Sequence, residues 1–270
     1  MTIKINHGLK KIDEQEFHLL DYQVTGFAYS IHNEIGRLWD EKIYQKELAN
    51  RCRSAGFVNV ETEMPIIVSH KDFRKVYYVD VLVENSILYE LKTTNRLNTE
   101  HDKQTLNYLF LLGLQHGKII NFRPISVQKR FVSTTLLPED RYDFVLDDKH
   151  WIELDEDSRW LRDLIVELLT DWGAYLETNL FYEAIYHFRG GEDQVVKTVD
   201  IFRNESKLGK QKMPLLNQRI AFKLTAITKA VNNFEHHLRR FVHVTNLSAL
   251  HWINFSHNVI TFKTVLNQIK

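Results

Sequence analysis

Residues 79–94, VDVLVENSILYELKTT, read as two short apolar strands around a polar turn, yet they carry Asp80, Glu90 and Lys92, charges that a buried hairpin accommodates poorly. Side chains alternate along a strand, so Glu90 and Lys92 share one face while Ile87, Tyr89 and Leu91 share the other. A two-residue turn at Asn85 and Ser86 sets Asp80 opposite Leu91, on the wrong face; a three-residue turn, Glu84 to Ser86, sets it opposite Glu90. The second register, or an equivalent bulge, is the expected one. Two carboxylates facing each other across a sheet repel unless a cation lies between them, and Mg²⁺ takes oxygen ligands at about 2.1 Å. Lys92 beside them has the charge to orient a water or to stabilise a phosphate, as metal-assisted phosphodiester hydrolysis requires. Taken alone the pattern is weak, because E-x-K recurs by chance and a salt bridge on a surface hairpin uses the same residues.

The flanking segments supply more. Val24, Phe27, Ala28, Ile31 and Ile35 recur at helical spacing, and a second helix runs from about Asp40 to Ala55, ended by Gly56, with Tyr44 and Leu48 inward and Glu41 on the same side. A strand at EMPIIVS, a polar turn at HKDFRK and the hairpin follow. LNTEHDKQTLNYLFLLGL then reads as a helix with Thr99 as N-cap and Asp102 three residues on, and KIINF and VQKRFVST as strands. Helix, helix, three strands, helix, two strands indicates an α/β sandwich with a mixed sheet. At 270 residues and 44% hydrophobic, the chain has material for one large core or two modest ones. Lysine plus arginine and aspartate plus glutamate are 35 each, so net charge argues for neither nucleic acid nor membrane. The N-terminus lacks the apolar core of a signal peptide, and YLFLLGL is far short of the roughly 20 residues of a membrane span; a cytoplasmic protein with no membrane partner is expected. Cys52, the single cysteine, leaves no internal disulfide or cysteine zinc site and is expected to be a buried, inert thiol.

Asp80, then Glu90-Leu91-Lys92, then Gln104-Thr105-Leu106-Asn107-Tyr108, resembles the PD-(D/E)xK nuclease superfamily with the QxxxY helix of its RecB-like and Cas4-like branch. More narrowly, IHNEIGRLWDEKIYQKEL, the hairpin, the following helix and INF are similar to the GxxExxY nuclease-like proteins over about residues 24 to 133. Glu41 and Tyr44 match that pattern, whereas Leu38 stands where the naming glycine would be, a departure that bears on the bend between the first two helices. The resemblance implies a restriction-endonuclease-like mixed sheet flanked by helices and a nuclease dependent on Mg²⁺ (or Mn²⁺), acting on nucleic acid, DNA ahead of RNA. It implies Asp80 and Glu90 as metal ligands, the Leu91 carbonyl as a further ligand, and Glu41 as the acid that completes the metal site. Lys92 becomes the water-orienting base or charge stabiliser, and Gln104 and Tyr108 position the strand or the site. His32 either touches the metal or the scissile phosphate or is a satisfied core residue; His101 either has a role or caps a helix. Lys129 and Arg130 either hold phosphates or are edge-strand charges. The pair His236-His237 reads as a solvated helix face.

The second half reads as a repeat of the first, although identities are few and shared apolar periodicity also aligns unrelated α/β segments. Residues 220–255, IAFKLTAITKAVNNFEHHLRRFVHVTNLSALHWINF, align without a gap onto residues 87–122 at a constant offset of 133. GAYLETNLFYEAIYHF resembles GRLWDEKIYQKELANR, and VVKTVDIFRNESKLGKQKMPLL supplies two strands. The expectation is a catalytic domain at 1–140, an acidic connector within 137–159, and a degenerate second copy of the fold at 155–270. Lys223 then stands at Glu90, Thr225 at Lys92, His237 at Gln104, Phe241 at Tyr108 and Met213 near Asp80, so the copy is dead. Either it grips phosphate through Lys223, Arg239 and Arg240 or it packs as the partner in a pseudo-dimer within one chain, with a homo-oligomer also open.

Overall fold

The computed structural model describes residues 2–5, 8–204 and 206–267. The chain divides into two compact units, Met1–Glu139 and Asp140–Lys270. In the first, β1 (Ile3–Ile5), α1 (Glu14–Ile35), α2 (Glu41–Ser54), β2 (Val60–His70), β3 (Phe73–Val83), β4 (Ile87–Lys92), α3 (Thr99–Leu112), β5 (His116–Asn121) and β6 (Gln128–Ser133) follow in chain order. The six strands form one sheet in the order β1-β2-β3-β4-β5-β6. All neighbours are antiparallel except β4 and β5, which α3 joins as a parallel pair.

The alternation of β4 distributes its side chains between two layers. Ile87, Tyr89 and Leu91 join Val24, Ala28 and Ile31 of α1 and Tyr44 and Leu48 of α2 in one core. Leu88 faces the other way, toward α3, where the absence of a side chain at Gly117 matters: a Cβ there would meet Leu88 at 3.0 Å and Leu109 at 3.3 Å. Glu90 and Lys92 point to this second face. β3 and β2 are longer than the sequence suggests, because the polar segment HKDFRK closes as a tight turn at Lys71 and Asp72, with His70 paired to Phe73.

Asp13 caps α1 by accepting from the Glu16 amide. Gly36 ends it with φ 80°, and the Tyr44 hydroxyl donates to the Gly36 carbonyl at 2.9 Å while its ring stacks on Phe122 at 4.3 Å. The bend between α1 and α2 is therefore made at Gly36, and Leu38 is 77% exposed, so that departure from the GxxExxY pattern falls on solvent. At α3 the N-cap is Asn98, one residue ahead of the expected Thr99. Its side chain accepts from the Glu100 and His101 amides, and the His101 ring accepts from the Asn98 amide, so His101 takes the capping-box place assigned to Asp102.

The second unit contains β7 (Val145–His150), α4 (Glu156–Trp172), α5 (Thr178–Phe188), α6 (Glu192–Val195), β8 (Val196–Arg203), β9 (Ser206–Pro214), β10 (Ile220–Thr225), α7 (Val231–His243), β11 (Ala249–Ser256) and β12 (Val259–Leu266). One sheet has the order β10-β11-β12-β7, and β8 with β9 forms a separate hairpin. β10 and β11 are parallel and joined by α7; β11 and β12 are antiparallel. The acidic stretch read as a connector is structured, since β7 pairs parallel with β12.

Candidate metal and catalytic site

The loop between β3 and β4 has the three residues Glu84 to Ser86, and the ladder runs Val83 to Ile87, Leu82 to Leu88, Val81 to Tyr89, which makes Asp80 and Glu90 the next pair in register. There the strands part. The Leu91 amide donates to Asp80 Oδ2 at 2.7 Å, so a side chain occupies the place of a backbone acceptor. Glu90 is buried and Asp80 half-buried: β4 is buried throughout, with Glu90 2% and Lys92 9% exposed.

Lys92 Nζ is 2.5 Å from Glu90 Oε1 and 3.9 Å from Glu41 Oε1, the latter delivered by the first turn of α2. Glu90 Oε2 is buried with no hydrogen-bond partner. One ammonium thus serves three acids. Burial first, and then the charge of Asp80, push the Glu90 carboxyl up to about 8 against the pull of Lys92. Burial likewise lifts Asp80 to about 6, opposed by the Leu91 amide and Lys92, and raises Glu41. For Lys92 burial works against the charge, but Glu90 outweighs it and the ammonium is held above its ordinary range. The lysine is thus favoured in its charged form, and the acids around it are pushed toward their neutral forms.

A hard divalent ion meets that want on the chemistry of its donors, which are carboxylate oxygens, one of them orphaned and buried. Among the described residues no three His, Cys, Asp or Glu side chains converge on one point; the carboxylates are arranged around the Lys92 ammonium instead. A pH effect follows with a definite sign. Acids with raised pKa bind protons more tightly in the folded chain, so their contribution to stability is full below about pH 4.5 and is lost as pH rises toward about 8. Urea unfolding of metal-free protein at pH 5 and pH 8 should show this fall, and Glu90→Gln should flatten it.

Gln104 donates to the Tyr108 hydroxyl at 3.1 Å, one turn along α3, and the Tyr108 ring meets Tyr77 edge-on at 6.0 Å. His32 is buried with Nε2 3.0 Å from the Pro124 carbonyl, in the segment that follows β5, and its bond is not to the acids. Lys129 lies over the Tyr29 ring and Arg130 pairs with Asp102. Cys52 is fully buried, which pushes its thiol up to about 12.

Two neighbours of the site escaped the sequence reading. Gln45 Nε2 donates to the Asp80 carbonyl at 2.7 Å and to Glu63 Oε1 at 2.8 Å, fixing the backbone that carries the first acid. Its signal was available, for Gln45 lies one helical turn after Glu41. Glu63 sits at a missing rung of the β2–β3 ladder, between the Thr62–Val81 and Met64–Val79 pairs, with φ 54°, and nothing in an E-T-E-M string announces a left-handed glutamate.

No curated protein matches the chain. A solved structure described as "Crystal structure of SSO0001" is similar at 20% identity and a TM-score of 0.26, over 48% of this chain and 81% of that one. Residues 18–132, from α1 to β6 and inclusive of every side chain that builds the site, match the family model of the PD-(D/E)XK nuclease superfamily.

Proposed function

We propose that the first unit is a divalent-metal-dependent nuclease of the GxxExxY type that hydrolyses phosphodiester bonds, in DNA ahead of RNA. The observation that carries this is the Asp80–Glu90 pair, Glu90 buried with one carboxylate oxygen unsatisfied and both acids pushed toward neutrality by desolvation. Asp80, Glu90 and the Leu91 carbonyl would hold Mg²⁺ or Mn²⁺, with Glu41 completing the set from α2. When bound, the ion supplies a Lewis acid that lowers the pKa of a water and offsets phosphate charge. Lys92 orients the attacking water. Gln45 and the Leu91 amide keep Asp80 in place, and Gln104 with Tyr108 forms the wall against which the strand lies.

The second unit is read as a copy of the first without its chemistry. Ala221 pairs with Leu250 as Leu88 pairs with Gly117, each 133 residues further on. Asn121 brackets Thr94, accepting from its amide and donating to its carbonyl, and Asn254 brackets Ile227 in the same way. Phe181 packs on Phe255 at 4.6 Å, as Tyr44 does on Phe122. Where Asp80 accepts from the Leu91 amide, the Tyr182 hydroxyl accepts from the Leu224 amide at 2.7 Å. With Met213, Lys223 and Thr225 at the places of Asp80, Glu90 and Lys92, nothing is left there to hold a cation.

End-labelled single- and double-stranded DNA incubated with Mg²⁺ or Mn²⁺ tests the reading. Cleavage that EDTA stops is the expected outcome. Metal-independent cleavage would overturn the metal site, and intact DNA and RNA with every metal would replace the nuclease with a binding module that retains the fold.

A further inference from the structure

We propose that the outer face of α1 and the free edge of β6 form a docking groove for an extended segment of a partner protein, acidic along its strand and ending in an aromatic residue. The groove has a volume of about 1070 Å³, and Asp21, Tyr22, Gly26, Lys118, Lys129 and Phe131 are among its walls. A second cavity of about 650 Å³ continues it toward the start of α1, past Leu19. Leu19 and Tyr22 are 68% and 82% exposed, an expensive way to present large apolar groups to water. Along the same face, β6 is the last strand of its sheet among the described residues, with its outer edge unpaired.

Gly26 has no account within the fold. It lies in the middle of a 22-residue helix, where glycine disfavours the helical state, and a Cβ added there meets nothing within 4 Å. No neighbour needs the space. The glycine lies in the wall of the groove, where a large side chain would project into it.

The second unit shows what such a groove holds. There β7 lies parallel on β12, and the next residue, Trp151, stacks on His251 at 4.1 Å and meets Phe262 edge-on at 5.7 Å, while the Ile152 amide donates to Thr264 Oγ1 at 2.8 Å. His251, Phe262 and Thr264 come 133 residues after Lys118, Lys129 and Phe131, three of the walls of the open groove. The ladders agree: Ile253 pairs with Phe262 as Ile120 pairs with Lys129. Even the buried polar contact from strand to helix recurs, as Ser158 with His251 in place of Asp21 with Lys118. So the second unit fills with its own strand and tryptophan the place that the first leaves open. Main-chain pairing to β6 gives such a segment its affinity, and an aromatic pocket gives it specificity. The filling strand carries Asp147 and Asp148, the latter paired with Arg162 of α4 at 2.7 Å, and the cation that the open groove offers to such a strand is Lys129, which has no carboxylate partner among the described residues. The inference rests on the correspondence between the two units and is independent of cleavage.

The test uses the full-length protein and a fluorescent peptide of residues 145–154, VLDDKHWIEL, read by anisotropy. Saturable binding is expected, weakened at least tenfold when the peptide carries Trp151→Ala and abolished by Gly26→Phe, which fills the groove. Gly26→Ala should bind the peptide as wild type does, and circular dichroism of both variants establishes that the helix is intact. Metal-dependent cleavage should be unchanged in Gly26→Phe. No binding, or binding indifferent to Gly26→Phe, overturns the proposal. So does concentration-dependent self-association that Gly26→Phe abolishes, which would assign the groove to a second copy. Absence of cleavage with peptide binding intact would remove the nuclease reading and leave this one standing.

Discussion

Lys92→Ala is expected to slow metal-dependent cleavage by about 10²–10⁴-fold, the range over which a positioned proton-transfer or charge-stabilising group contributes. The side chain is buried, 2.5 Å from the Glu90 carboxylate and 3.9 Å from that of Glu41. Removing it leaves Glu90, Asp80 and Glu41 without their fixed cation. The consequence is a division between two readouts. Binding of Mn²⁺, followed by calorimetry, should persist or tighten, because the ion no longer competes with an ammonium for the carboxylates; turnover should fall. A structural role would move both together, and loss of Mn²⁺ binding in Lys92→Ala would show that the lysine serves to hold the acids and not the water. Asp80→Ala gives the complementary pattern, with metal binding and cleavage both lost, since one ligand and the acceptor for the Leu91 amide disappear at once.

The largest effect on stability is expected on the opposite face of the same sheet. Lys118 on β5 and Asp21 on α1 form an ion pair, with the carboxylate 4% and the lysine 6% exposed, and Thr25 bonds to both. The Tyr89 hydroxyl donates to the same carboxylate at 3.3 Å. Lys118→Ala strands Asp21 without a counter-charge, at a cost of about 3–5 kcal/mol. Replacing both, Asp21→Leu with Lys118→Met, removes two desolvated charges together and should recover most of that loss. Urea unfolding of the single and double variants measures the difference. If the single variant is as stable as wild type, the pair is hydrated in solution.

The register of the β3–β4 hairpin was legible because only a three-residue turn puts Asp80 on the face of Glu90, and the burial of Ile87, Tyr89 and Leu91 against α1 and α2 follows from alternation alone. Helix positions could also be read, since apolar spacing marks them. Caps were less legible: Asn98 and Thr99 are both competent N-caps, and the choice depends on where the His101 ring falls. β1 went unread because three residues of a strand carry no periodicity. β7 was hidden by its charges, Asp147, Asp148 and Lys149, which look like linker composition and yet lie on a sheet edge where one side faces solvent. In the site, sequence motifs led to the acids and the lysine. They did not lead to Gln45, whose role depends on a backbone carbonyl, or to Glu63, whose left-handed backbone interrupts the ladder for one residue. His32 shows the limit from the other side, as an inward helical histidine whose partner, the Pro124 carbonyl, lies 92 residues away.

The order in which the pieces of the site meet has a kinetic consequence. Asp80, Glu90, Lys92, Gln104 and Tyr108 lie within one run of strand, turn, strand and helix, so they come together by local contacts that close short loops and form early. Glu41 arrives from α2, across β2 and most of β3, and joins only when that helix docks. A folding chain therefore assembles Asp80 and Glu90 before Glu41 joins them, with Lys92 as their resident counter-ion. On that account the lysine is a placeholder during folding as well as a participant afterwards, and refolding in the presence of Mn²⁺ should accelerate Lys92→Ala more than wild type.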